Sequence, residues 1–406
     1  MSRHSLFEVC LNRPTWRQGA GTLVIAVLTV ALMLPARARA LSEPPSLSLL
    51  AARPHQTGKI SVAEFSRLLQ DFSEPGGYFL SDNLISNETS YLHIVPKLRE
   101  LGATGGAYIG VGPEQNFTYI AKIRPRIAFI IDIRREAIIQ HLMFKAIFTL
   151  SRTRAEFLSR LLSKPLSGKA VPAPNAGIEE MVSYFSTARS DPTMFGASLA
   201  EIRDLISNSF KVPLTADDQM GLEKILASFR EEGLSVAFAI GSGGFYDGSF
   251  PTLKEILQEQ DLTGATGNFL ANSDDYQFVR KMQLENRIVP VVGDFAGSHA
   301  LSSIASYLRA NRYMLTAFYL SNVEQYLFQS GVFDSFVQNV RKLPLTDKSL
   351  FIRSVFDRFV RHPAQLPGHR VTTLLQPIRV FLKDYDEGRC RDYFTVVTTD
   401  YLAAGH

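Results

Sequence analysis

The 406-residue chain has two cysteines, Cys10 and Cys390. If Cys10 leaves with a leader, no intrachain disulfide can form, and neither cysteine supports a zinc site. Eight histidines are present, but none stands in an HxH or HExxH spacing, so local spacing predicts no metal. Charge of one sign is equally scarce: 43 Lys and Arg against 39 Asp and Glu leave +4. That is too mild for a phosphate-binding face, so nucleic acid is not expected as a partner. The Gly-Lys-Ser/Thr run of a P-loop is missing. The apolar run Thr22–Leu34 has 13 residues, short of the roughly 20 that a membrane helix needs.

What is present divides the chain. Residues 1–40 have the three parts of a secretory signal: Arg3, Arg13 and Arg17, then Thr22–Leu34, then the A-x-A site Ala38-Arg39-Ala40. This predicts export to the periplasm; an uncleaved leader would be the one membrane contact, and a misassigned start would leave the protein cytoplasmic. Residues 41–104 read as a linker followed by a helical and lid-like segment. Residues 105–400 read as one α/β domain, with a proline-interrupted helical insertion at 151–232. Helical apolar spacing covers 60–72, 92–101, 117–123, 135–150, 252–260, 274–286, 298–310 and 322–329. Buried strands are expected at 107–111, 127–133, 234–240, 288–292, 313–320 and 350–355. Residues 378–385 and 393–399 are expected to close the sheet as an antiparallel pair. Strands alternating with helices imply a doubly wound, mostly parallel, Rossmann-like sheet.

Four constellations could carry chemistry. Gly110-Val111-Gly112-Pro113-Glu114-Gln115-Asn116 is a glycine turn between a strand and a helix, where backbone can approach a ligand and free N–H groups point at it. Asp132 ends the second strand, placed to accept from ribose hydroxyls. A dinucleotide fingerprint would have glycine where Gln115 stands, which disfavours a nicotinamide oxidoreductase and leaves an adenosine-type ligand without phosphates. Asp294 and Phe295 follow the IVPVV strand, where they could meet a base; Asp294 equally suits a helix cap. Ser321-Asn322-Val323-Glu324-Gln325-Tyr326 follows the YMLTAFYL strand. Asn322, Glu324 and Tyr326 could orient an acceptor or take its proton, although Ser321 and Glu324 also have capping-box spacing. The polar run 78–91 could be a lid or a solvated loop.

The order GVGPEQN, IIDI, VVGDF and AFYLSNVEQYL resembles the motifs of class I S-adenosylmethionine-dependent methyltransferases. SDNLISNETSYLHIVPKL and GGAYIGVGPEQNFTYIAKIRPRIAFIIDIRR are similar, more narrowly, to an uncharacterised bacterial family with that fold. The resemblance implies S-adenosylmethionine as cofactor, with Gly110, Gly112 and Glu114 around its methionine moiety and Asn116 among the cofactor-binding residues. It implies Asp132 on the ribose, Asp294 and Phe295 at the adenine, and Asn322 facing a small-molecule or protein acceptor. Glu114 stands where those enzymes have a third glycine. Export is the rival consideration, because this cofactor is made in the cytosol; it favours a ligand-binding protein or pseudoenzyme on the same fold.

Overall fold

The computed structural model describes residues 58–168, 171–239, 250–357 and 361–405. The expected leader (1–40), most of the linker after it and Ile240 lie outside them. Six strands form one sheet: β1 (Ala107–Gly110), β2 (Ile127–Asp132), β3 (Ile288–Val292), β4 (Leu315–Ser321), β5 (Leu345–Phe356) and β6 (Val371–Pro377). Their order is β3-β2-β1-β4-β5-β6. Neighbours are parallel except β6, which runs antiparallel to β5. This is an α/β fold with a mostly parallel sheet, consistent with a Rossmann-like fold. The strand order reverses between β1 and β4, and ligands of such sheets bind outside the carboxyl ends of the strands at that point.

β1, β2 and β3 are buried at every residue, as strands covered by helices on both faces must be. Register aligns Phe129, Ile109, Phe318 and Phe351 across one face. Phe72, Tyr307, Phe336 and Phe381 pack onto this row from four separate helices. On the other face Tyr319 meets Tyr119 of the helix Gln115–Ile123, with ring centroids 5.1 Å apart.

Two expectations are corrected. Residues 378–385 and 393–399 are not strands: Ile378–Asp386 and Tyr393–Thr398 are helices. Ile378, Phe381, Leu382 and Tyr385 repeat at helical spacing, and Asp392 with Thr395 makes a reciprocal capping box. The antiparallel partner of β5 is the VTTLLQP segment instead. Residues 234–239 add no strand to the sheet either. They begin with a 3-10 turn, Gly233–Ser235, and pair with one residue, Ala237 with Thr252. Leu234, Val236 and Phe238 are buried, so this apolar run fills core without ladder partners. Residues 151–232 are helical wherever regular structure is described in them. Among the described residues no helix is long and apolar enough to cross a membrane.

Candidate functional site

The carboxyl ends of the strands are crossed by the chain's own segment 73–91. It starts at β3, where the Glu74 amide donates to the Val292 carbonyl (3.1 Å) and Glu74 Oε1 accepts from the Asp294 amide (2.7 Å). It continues past β2, where the Gly77 amide donates to Ile133 (2.7 Å). A Cβ on Gly77 would stand 2.6 Å from the Ile133 side chain, so glycine permits this close passage. Gln140 Nε2 donates to Leu84 (2.6 Å), and at β1 the Ser86 amide donates to Glu114 Oε1 (3.2 Å).

Glu88 then enters the point between β1 and β4 where the strand order reverses. It is 1% exposed. Its carboxylate accepts from Tyr319 Oη (2.7 Å) and Ser321 Oγ of β4, from Ser354 Oγ of β5 and from Gln115 Nε2 (2.8 Å). Ser321 has φ +51°, a left-handed conformation uncommon for serine, and its bond to Glu88 helps hold it. Burial raises the phenols of Tyr108, Tyr119 and Tyr319 well above their usual range, and the nearby Glu88 charge raises them further.

Glu114, at the end of the glycine turn, is buried, and its Oε2 finds no partner among the described residues. Burial pushes its carboxyl up to about 7. Asn116 is fully buried and serves the turn itself. Its amide nitrogen donates to the carbonyls of Val111, Gly112 and Pro113, and its oxygen accepts from Tyr108. Gly110 makes room for that oxygen, since a Cβ there would lie 1.9 Å from it. Gly112 has φ +78° with open space above it, and its carbonyl lies 2.9 Å from His141 Nε2.

Asp132 is buried and paired with Arg134, which donates from its backbone amide (2.9 Å), Nε (3.2 Å) and Nη2 (3.1 Å). Arg134 Nη1 reaches on to the Ser81 and Asp82 carbonyls, so one guanidinium fastens the segment to β2. Asp294 closes a turn by accepting from the Ala296 amide (2.8 Å). Phe295 is in the core, edge-on to Phe318 (4.9 Å) and stacked on Phe336. Glu324 and Arg353 form a bidentate ion pair, each side chain 1% exposed. Half-buried Asn322 and Tyr326 stand at the rim, where Phe79 meets the Tyr326 ring edge-on at 5.3 Å. The structure therefore gathers Gly112, Glu114 and Asp132 along one edge, while Phe295 and Glu324 point into packed interior.

With that geometry in view, the chain matches a family described as a domain of unknown function (DUF7790) over residues 84–401. The chain belongs to the DUF7790 family. No curated protein matches it. The DUF7790 match begins at Leu84, so it takes in Ser86, Glu88, the glycine turn and all six strands.

Sequence reasoning included Glu88 only within the polar run 78–91, without its place among the strand ends, and missed Arg134 and Arg353, whose partners are distant or are polar residues of ordinary strands. It also missed a group in this DUF7790 domain on the β5–β6 side of the same edge, where the end of β5 pairs with the start of β6. One ligating atom from each of His93, Glu259 and His369 lies within 4.8 Å of the others. Burial and the neighbouring His369 lower His93 to about 4, and burial raises Glu259 to about 7.

Proposed function

We propose that this protein is a ligand-binding, non-catalytic member of the methyltransferase-like fold, in which segment 73–91 has taken the position of a nucleoside cofactor. The observation that carries the reading is the seating of Glu88 at the strand-order reversal. Taking Glu88 out of this site would strand its four donors and the carboxylate, and stripping partners from a buried charged group costs several kcal/mol. A lid that must open for every ligand is drawn from the weakly held parts of a structure, and this segment is not one.

The residues that the resemblance implies for S-adenosylmethionine do not fit it as they stand. A ribose diol offers two hydroxyls, and the carboxylate of Asp132 already accepts three hydrogen bonds from Arg134, which leaves one of its roughly four acceptor positions. The adenine side offers Asp294 engaged in a turn and Phe295 in the core. Glu324, bound to Arg353, is poorly placed to act as a base. What stays accessible is the rim of Gly112, Asn322, Tyr326 and Phe79, suited to a small ligand with one flat face and one polar edge. Export of the mature chain belongs to this reading, because an exported protein would not meet a cytosolic cofactor.

The test is calorimetric titration of the full chain with S-adenosylmethionine and S-adenosylhomocysteine. The reading predicts no binding tighter than about 1 mM, a free energy near −4 kcal/mol. Micromolar binding that disappears in Asp132→Ala would overturn it and restore the methyltransferase.

A further inference from the structure

We propose that His93, Glu259 and His369 form a binding site for a divalent transition-metal ion of the zinc class, on the β5–β6 side of the strand-end edge. His93 sits in the turn before the helix Val95–Glu100, its amide donating to Ser90 (3.0 Å). Glu259 follows the last turn of the helix Leu253–Gln258. His369 lies two residues before β6, in a turn closed by its own amide on Leu366 (3.2 Å) and by Gln365 Nε2 on its carbonyl (2.8 Å). Three separate anchors therefore fix the three donors.

The donor set is selective. Two imidazoles and one carboxylate suit zinc or ferrous iron, whereas magnesium and calcium prefer all-oxygen shells. Ligating atoms within 4.8 Å of one another need only small side-chain rotations to reach the roughly 2.0–2.2 Å bonds of such an ion. The two rings meet edge to face, with centroids 4.5 Å apart. Neither ring has a hydrogen bond to another described residue, although His93 is only 5% exposed.

A second observation points to the same place. A cavity of about 170 Å³ is bounded by His93, Gln365, Thr372 and Thr373. Thr372 Oγ1 and Gln365 Oε1 are buried in its wall and have no partner among the described residues. Of the three ligands His93 borders this space, so it is the one beside which a bound ion could keep a coordination position for water or substrate.

The experiment uses the full chain stripped with a chelator, then titrated with Zn²⁺ alone by calorimetry and with Co²⁺ by visible absorption. The expected result is one ion per chain at micromolar affinity or tighter, with a Co²⁺ spectrum of low coordination number. His369→Ala and Glu259→Gln are at half-buried positions; each should keep the native circular dichroism and weaken the ion by more than roughly 100-fold, the upper end of what loss of even an outer partner costs. Binding that is absent in the folded chain, or equally tight in both variants, would overturn the site.

Discussion

Glu114 shows how much one buried carboxyl can govern. Its pKa in the folded chain is raised to about 7, chiefly by burial, against an ordinary value of 4.5. A group raised on folding adds stability that is complete below its unfolded value and is lost as pH rises through its folded value. The native chain should therefore lose stability between about pH 4.5 and 7, by at most about 3 kcal/mol from this group. Glu114→Gln keeps the shape and removes the titration. Urea unfolding at pH 5 and pH 8 should show the variant less pH-dependent than the wild type, with the gap in its favour at pH 8. Glu324 and Arg353 are coupled in a different way. Removing one member strands a buried charge, so Glu324→Ala should cost about 3–5 kcal/mol. The double variant Glu324→Leu, Arg353→Met should recover part of that loss in the same denaturant assay.

At the scale of elements, the glycine turn and the 73–91 segment each rest on side chains spent on their own backbone. Gly110→Ala would place a methyl 1.9 Å from Asn116 Oδ1 and should displace the clasp that closes the turn. A loss of at least about 2 kcal/mol in thermal unfolding is expected, as for strained or overpacked core changes. The first three strands and the helix Arg135–Leu150 were legible because continuous apolar runs between turn residues, or a long helical period, report burial directly. The helix at 378–386 was misread because its short segment has both aromatic content and helical spacing, and the spacing decides. β6 escaped notice because VTTLLQP carries threonines and a glutamine; these are buried polar residues with partners, among them Thr373 with Ser90 and Gln376 with Arg353. In the site, the glycine turn and Asp132 were placed at the right edge by sequence. That Arg134 takes up Asp132, and that Glu88 fills the space beside them, depends on where a distant segment lies, which periodicity does not carry.

For the whole molecule, the strand order puts the glycine turn of β1 beside the end of β4, the position from which open sheets usually bind ligands. The N-terminal segment that crosses this edge is tied to β3, β2, β1 and β4 in turn, so it belongs to the domain's stability. Export, read from residues 1–40, predicts a mature chain beginning at Leu41, which N-terminal sequencing of protein from the periplasmic fraction would read. The central claim is that segment 73–91 is a permanent part of the site and not a door. Amide hydrogen exchange on the full chain tests this directly. The account predicts that Ser86 and Glu88, whose amides donate to Glu114 and to Ser86 Oγ, exchange as slowly as the strand β2 and are unchanged by S-adenosylmethionine. Exchange at these amides within seconds, slowed when the cofactor is added, would contradict it.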